Sequence, residues 1–141
     1  AMTSRSTSQR LKKTRDDHSR EIAEDYVEMI ADLIHAEQVC RVTGLARRMG
    51  VSHVTASRTV NRLVEAGLAR TSPHQPITLT PKGTRLANAA RRRHQVVLEF
   101  LKEIGVSERI ADSDAEGIEH HCSPETIAAM SRFIDAAWSQ R

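Results

Sequence analysis

At 141 residues, with 28% charged, 39% hydrophobic and only 3% aromatic residues, the chain suits one compact domain or two very small ones with an aliphatic core. No apolar run is long enough to cross a bilayer and no charged-then-apolar leader opens the chain, so neither a membrane span nor a secretory signal is expected. Two cysteines, Cys40 and Cys122, are too few for a thiolate metal site and read as reduced thiols of a cytoplasmic protein.

Residues 2–18 are rich in Ser, Thr, Lys and Arg without a sustained apolar period, which predicts a mobile basic arm; Ala1 ahead of Met2 reads as a cloning remnant. From Ser19 a helical stripe appears, Ile22, Tyr26, Met29/Ile30 and Leu33, ending near Glu37. V-T-G-L-A-R-R-M-G predicts a two-turn helix stopped by Gly50. Ser52 then caps a helix closed by Gly67, with Val54, Val60, Leu63 and Val64 expected to face inward. L-A-R-T-S and I-T-L-T flank the Pro-bounded turn P-H-Q-P as a hairpin. Thr80-Pro81 opens a long helix to Gly105, Ser107 caps another that ends near Cys122, and Ser123-Pro124-Glu125 starts a last one reaching Trp138.

Charge divides along this order. Arg41, Arg47, Arg48, Arg58, Arg62 and Arg70 face a single acid, Glu65, whereas Glu103 to Glu125 is acidic with Arg109 alone opposing it. Helix, short turn, helix and a two-stranded wing is the winged form of the helix-turn-helix, whose second helix enters the major groove of double-stranded DNA. In that helix Ser52, His53, Thr55, Ser57 and Arg58 are candidates for base edges, and Arg62 for a phosphate. Arg47 and Arg48 would meet the backbone, as would His74 and Gln75 at the wing tip.

The acidic half contains D-A-E-G-I-E-H-H-C, Asp114 to Cys122. On a helix Glu116, Glu119 and His120 would share a face, with Asp114, His121 and Cys122 turned away. The first helix offers a second acidic stripe, Glu21, Asp25, Glu28 and Asp32, and the long helix a lone His94. Clustered carboxylates repel one another unless a cation compensates them. Oxygen donors with some imidazole and no thiolate suit Mn²⁺ or Fe²⁺ better than Zn²⁺ or Cu⁺. Surface charge and an ordinary core histidine are the alternatives at this point.

D-Y-V-E in the first helix, R-R-H-Q-V-V-L-E-F-L in the long helix and D-A-E-G-I-E-H-H together carry a resemblance. From about Glu21 onward the sequence resembles the manganese transport regulator (MntR) branch of the diphtheria-toxin-repressor (DtxR) family. The resemblance implies a binuclear site of Asp25, Glu28, His94, Glu116, Glu119 and His120, with the two central glutamates bridging two ions per protomer. It also implies Mn²⁺ as the ion, because the iron-responsive branch typically places methionine at Asp25 and cysteine at Glu116. Fe²⁺ is the alternative. With the chain ending at Arg141, no third domain of the kind many iron-type members carry is expected. The recognition helix and wing depart from relatives in detail, so no operator sequence carries over, and the basic arm is an extension of only some members.

The expected molecule is mainly α: an N-terminal winged helix-turn-helix (19–80) after the arm (1–18), followed by a three-helix metal-binding and dimerisation domain (81–141). The expected function is a cytoplasmic homodimeric repressor of manganese uptake genes that binds operator DNA when metal is present and does not touch membranes. An iron-responsive repressor is the nearest rival. A winged-helix sensor of an organic ligand would need a large apolar pocket, which so few aromatics disfavour. A binuclear metallohydrolase would need a phosphate-cradling loop or nucleophile motif, and none is present, so no enzymatic activity is expected.

Overall fold

The computed structural model describes residues 6–141. Six helices and one small hairpin follow one another: α1 (Thr7–Glu37), α2 (Val42–Met49), α3 (His53–Glu65), β1 (Ala69–Arg70), β2 (Thr78–Leu79), α4 (Pro81–Glu103), α5 (Glu108–Ile118) and α6 (Pro124–Ser139). A 3-10 turn, Glu119–His121, follows α5. The chain divides into two compact units inside the first turns of α4, between Thr84 and Arg85.

The first unit is the winged helix-turn-helix. Val27, Ile30 and Leu33 from α1, Leu45 and Ala46 from α2, and Ala56, Val60 and Leu63 from α3 are buried, joined by Leu68, Ala69 and Ile77 of the wing. α2 ends on Gly50, whose φ of 68° is the left-handed conformation that glycine adopts without penalty. Ser52 caps α3, its Oγ accepting from Thr55 N at 3.1 Å. β1 and β2 pair antiparallel, Ala69 opposite Leu79 and Arg70 opposite Thr78, and a single bridge joins Cys40 to Ile77. His74 occupies φ 62° at the wing tip. The start of α4 is locked onto the end of α3. Thr80 Oγ1 donates to Gly67 O at 2.6 Å and accepts from Gly83 N at 3.1 Å, while Lys82 Nζ donates to Ala66 O at 3.0 Å. A side chain at Gly83 would collide with the Leu68 carbonyl, 2.0 Å from where its Cβ would lie, so only glycine permits this approach.

The structure departs from the sequence pattern at the start of α1 and in the phase of α3. Residues 7–18 are the beginning of α1 rather than a mobile arm; residues 1–5 of that arm lie outside the described residues. A capping box starts the helix, Ser6 Oγ accepting from Gln9 N while Gln9 Oε1 accepts from Ser6 N. Asp17, held by Lys13 at 2.5 Å and Arg20 at 2.6 Å, supplies i,i+4 and i,i+3 pairs in place of apolar periodicity. In α3 the inward residues are Ala56, Thr59, Val60 and Leu63, whereas Val64 and especially Val54, 58% exposed, face outward. At 100° per residue Val54 falls nearly opposite the Ala56–Val60–Leu63 face, and burial of that more continuous stripe decides the phase.

The second unit comprises most of α4, α5, the 3-10 turn and α6. Ala87, Ala90 and Val97 of α4 and Ala111 and Ala115 of α5 are buried. Phe100 and Phe133 meet edge to face, ring centroids 5.5 Å apart. Ser107 stands at the start of α5 without a side-chain cap bond, while Ser123 Oγ accepts from Thr126 N at 3.2 Å to cap α6. α6 has no buried residue, and Phe133 and Trp138 are exposed apolar surface, as are Ile104, Ile110 and Ile118.

Candidate metal centre and nucleic-acid interface

In the first unit, Ser52, His53, Thr55, Arg58 and Arg62 are exposed and Ser57 is half-buried. Ser52 and Thr55 are partly engaged at the cap, Ser52 Oγ donating to Thr55 Oγ1 at 3.0 Å, which fixes both hydroxyls at the leading end of α3. Arg47 and Arg48, in the last turn of α2, are exposed, as are His74 and Gln75 of the wing. Among the described residues Arg47, Arg48, Arg58 and Arg62 have no carboxylate partner, so their charge is offered outward. Val54 is the residue missed by the sequence reading. Its hydrophobicity assigned it to the core, yet it stands on the solvent side of α3 between the candidate base-reading side chains, where an apolar group can meet a thymine methyl. Its phase against Ala56, Val60 and Leu63 was the available signal.

Asp25 and Glu28 lie half-buried on α1 in the first unit. Glu24, which sequence spacing did not single out, is buried beside them at 3% exposure. The remaining four candidates belong to the second unit, where the structure separates what helical spacing had grouped. α5 ends at Ile118, and Glu119 and His120 lie in the tighter 3-10 turn. Glu119 sits four residues beyond Ala115 and continues the buried Ala111–Ala115 stripe, whereas Glu116 turns outward. One group is therefore His94 on α4 with two exposed acids of α5: Nε2 is 3.0 Å from Asp112 Oδ1 and Nδ1 is 3.3 Å from Glu116 Oε1. The other is buried: Glu119 Oε1 lies 3.4 Å from His120 Nε2, and Glu119 Oε2 accepts from Arg93 Nε at 3.3 Å. Arg93 and Asp112 were also not foreseen. Asp112 is one helical turn before Glu116, and Arg93 adjoins His94, so only the register between α4 and α5 reveals their roles.

His94 Nδ1 is buried and, despite its proximity to Glu116, makes no hydrogen bond of acceptable geometry. A buried polar nitrogen left without a hydrogen bond costs stability unless another partner takes it. With carboxylate oxygens and imidazole nitrogens as the donors, the arrangement fits a hard to borderline divalent cation. Beyond this centre, burial and the nearby Glu119 charge push the Cys122 thiol up, with Arg93 opposing. Burial, reinforced by Glu37, pushes Cys40 up to about 11.

Known proteins show the same division into parts. Residues 19–76 match the N-terminal DNA binding domain of the iron dependent repressors, and residues 80–137 their metal binding and dimerisation domain. A transcriptional regulator MntR from Salmonella typhimurium is 43% identical over 123 residues, covering 87% of this chain and 78% of the relative. The chain belongs to the MntR branch of the diphtheria-toxin-repressor family. A second MntR, described as an HTH-type transcriptional regulator of Lysinibacillus sphaericus, is 36% identical over 111 residues, 79% of this chain and 80% of that one. Among solved structures, a manganese-dependent transcriptional repressor in complex with manganese superposes with a TM-score of 0.67 at 32% identity, covering 79% of this chain and 52% of that one. IdeR of T. acidophilum gives 0.67 at 28% identity, covering 78% and 53%. The chain thus spans about half the length of those solved relatives. No helix among the described residues is long and apolar enough to cross a membrane.

Proposed function

We propose that this chain is a manganese-responsive transcriptional repressor that binds double-stranded operator DNA as a homodimer and controls manganese uptake genes in the cytoplasm. The MntR relatives and the solved manganese complex support the ion, with Fe²⁺ as the competing one. The observation that carries the reading is the pairing of an outward arginine surface on α3 with a buried imidazole nitrogen that lacks a hydrogen bond in the part matched to metal binding.

The ligands proposed are Asp25, Glu28, His94, Glu116, Glu119 and His120, which would hold two ions per protomer. A divalent cation held by these residues would add positive charge to the carboxylate set. Through that charge, metal binding would favour the state of the dimer in which the two recognition helices stand about one turn of DNA apart. Such coupling is typically ~1–3 kcal/mol, or about 5- to 150-fold in DNA affinity. The exposed Phe133, Trp138, Ile104 and Ile110 give the second unit an apolar surface suited to a second copy of the chain. On this reading the protein is a switch and not an enzyme.

Calorimetric titration of metal-free protein with MnCl₂ tests the reading. Two equivalents per protomer are expected, together with a rise in affinity for duplexes selected from a random pool. Absence of Mn²⁺ binding, or binding without any change in DNA affinity, overturns it, because equal metal affinity in both conformations shifts nothing.

A further inference from the structure

The first half of α1 is a basic rod that the assignments above leave without a role. From Arg10 to Arg20 it carries Arg10, Lys12, Lys13, Arg15 and Arg20 against Asp16 and Asp17. Lys13 and Arg20 are committed to Asp17, which is itself buried. Arg10, Lys12 and Arg15 are exposed and, among the described residues, have no carboxylate partner.

Helical phase shows which way two of these cations face. Ser19, Ile22 and Ala23 of α1 line a cleft of ≈ 230 Å³ against Thr59, Arg62, Leu63, Ala66 and Leu68, so this sector of α1 faces the C-terminal half of α3. Arg15 lies four residues before Ser19 and seven before Ile22, and Lys12 lies seven before Ser19. Both therefore fall on the α3-facing sector, about 6 and 10 Å upstream along the axis. Across the cleft α3 presents exposed Arg62. Lys12, Arg15 and Arg62 thus share one side of the winged-helix unit, the two α1 cations lying upstream of the cleft along α1.

We infer that this ridge is a second DNA contact, in which Lys12 and Arg15 bind backbone phosphates outside the half-site read by α3. The inference rests on α3 being the DNA-reading helix. Two features favour a nucleic-acid backbone over other partners. The ridge is continuous with Arg62, already on the side of α3 suited to a phosphate, and its unpaired cations complement a regularly spaced polyanion. Because α1 is one helix from Thr7 to Glu37, these charges are fixed to the DNA-reading unit and need no ordering on binding. The contact carries no base information, so it raises affinity without changing sequence preference.

The double substitution Lys12→Gln/Arg15→Gln, at exposed positions, tests this in the full-length, Mn²⁺-loaded protein. Probes are a duplex selected from a random pool with flanks of about 10 base pairs on each side, and the same duplex without flanks. On the flanked duplex the variant should bind about 10-fold more weakly, and the slope of log K against log salt should fall by about 0.9 per lost phosphate contact, or about 2 per protomer. On the unflanked duplex it should match the parent protein, and the preference for selected over scrambled sequence should be unchanged on both. An unchanged salt slope on the flanked duplex overturns the inference, as does an equal loss on both duplexes. A change in sedimentation without a change in DNA binding also overturns it, by assigning the ridge to a protein contact. If the parent protein itself binds no selected duplex in Mn²⁺, the reading of α3 fails first, and the two failures are told apart.

Discussion

In the winged-helix unit, Arg47, Arg48, Arg58 and Arg62 stand in solvent over a core of Ile30, Leu45, Val60 and Leu63, whereas in the helical unit Glu119 and His120 are only 1% and 3% exposed. The first arrangement keeps these four charges hydrated until a large partner arrives, so it costs folding little and leaves the surface open to a polyanion. The second removes a carboxylate from water and must compensate it locally, which Arg93 does in part. Exposed charge over a rigid core suits reading an extended surface; buried carboxylate and imidazole side by side suit a small ion. The arginine surface and the Glu119–His120 pair therefore differ in how they treat solvent, although the first unit also buries Asp17 and Glu24.

The largest effect should come from removing the sensing side. Glu116→Ala should abolish the metal-stimulated gain in operator affinity, a loss of up to about 150-fold, while leaving weak salt-sensitive DNA binding intact. Fluorescence anisotropy with and without Mn²⁺ reads both quantities, and a full response to the ion would remove Glu116 from the site. On the reading side, Arg58→Ala should reduce discrimination between selected and scrambled duplexes by ~1–3 kcal/mol with little change in non-specific affinity. A uniform loss would reduce Arg58 to a phosphate contact. Arg93→Gln should act on folding stability instead of DNA reading, because it leaves Glu119 with less compensation. An under-satisfied buried group costs ~1–3 kcal/mol, a few degrees of melting temperature in the metal-free protein. Saturating Mn²⁺ should narrow that gap, since the ion then supplies the missing charge; an equal gap in both conditions would mean that Arg93 has a purely packing role.

The division between reading and sensing was also unequally legible. Caps and breakers marked α2 to α4 well, because Gly50, Ser52 and Thr80-Pro81 act through local backbone chemistry that a linear sequence displays. The start of α1 was not legible, since it is held by the Ser6–Gln9 box and the Lys13–Asp17–Arg20 pairs without an apolar stripe. Val54 was misassigned because hydrophobicity gives no phase until the neighbouring buried residues are fixed. In the acidic segment, ideal helical spacing put Glu116 and Glu119 on one face, but the helix gives way to a 3-10 turn between them. The His94–Asp112 and Arg93–Glu119 contacts depend on how α4 is registered against α5 and the turn after it, which is tertiary information. The choice of Asp25 and Glu28 within an acidic stripe came from family resemblance alone.

The two free cysteines give the mildest probe of the same contrast, because one lies in each unit. Cys40 is fully buried at the bridge to Ile77, and its thiol is pushed from 9.0 up to about 11, first by burial and then by Glu37. Cys122 is half-buried and is raised by burial and Glu119 while Arg93 draws it back. A raised thiol pKa means that the folded state holds the proton more tightly than the unfolded one. The resulting contribution to stability is complete below pH 9 and is lost as pH rises from 9.0 through about 11. At pH 8 Cys40 should therefore carry about 100-fold less thiolate than an ordinary cysteine, in addition to being shielded from reagents. Iodoacetamide labelling followed by mass spectrometry should find Cys122 modified first at pH 8, with Cys40 labelled only near pH 11 or on unfolding. Comparable rates at pH 8 would show that the wing opens at the Cys40–Ile77 bridge, and the rigid core assumed for the reading surface would have to be given up.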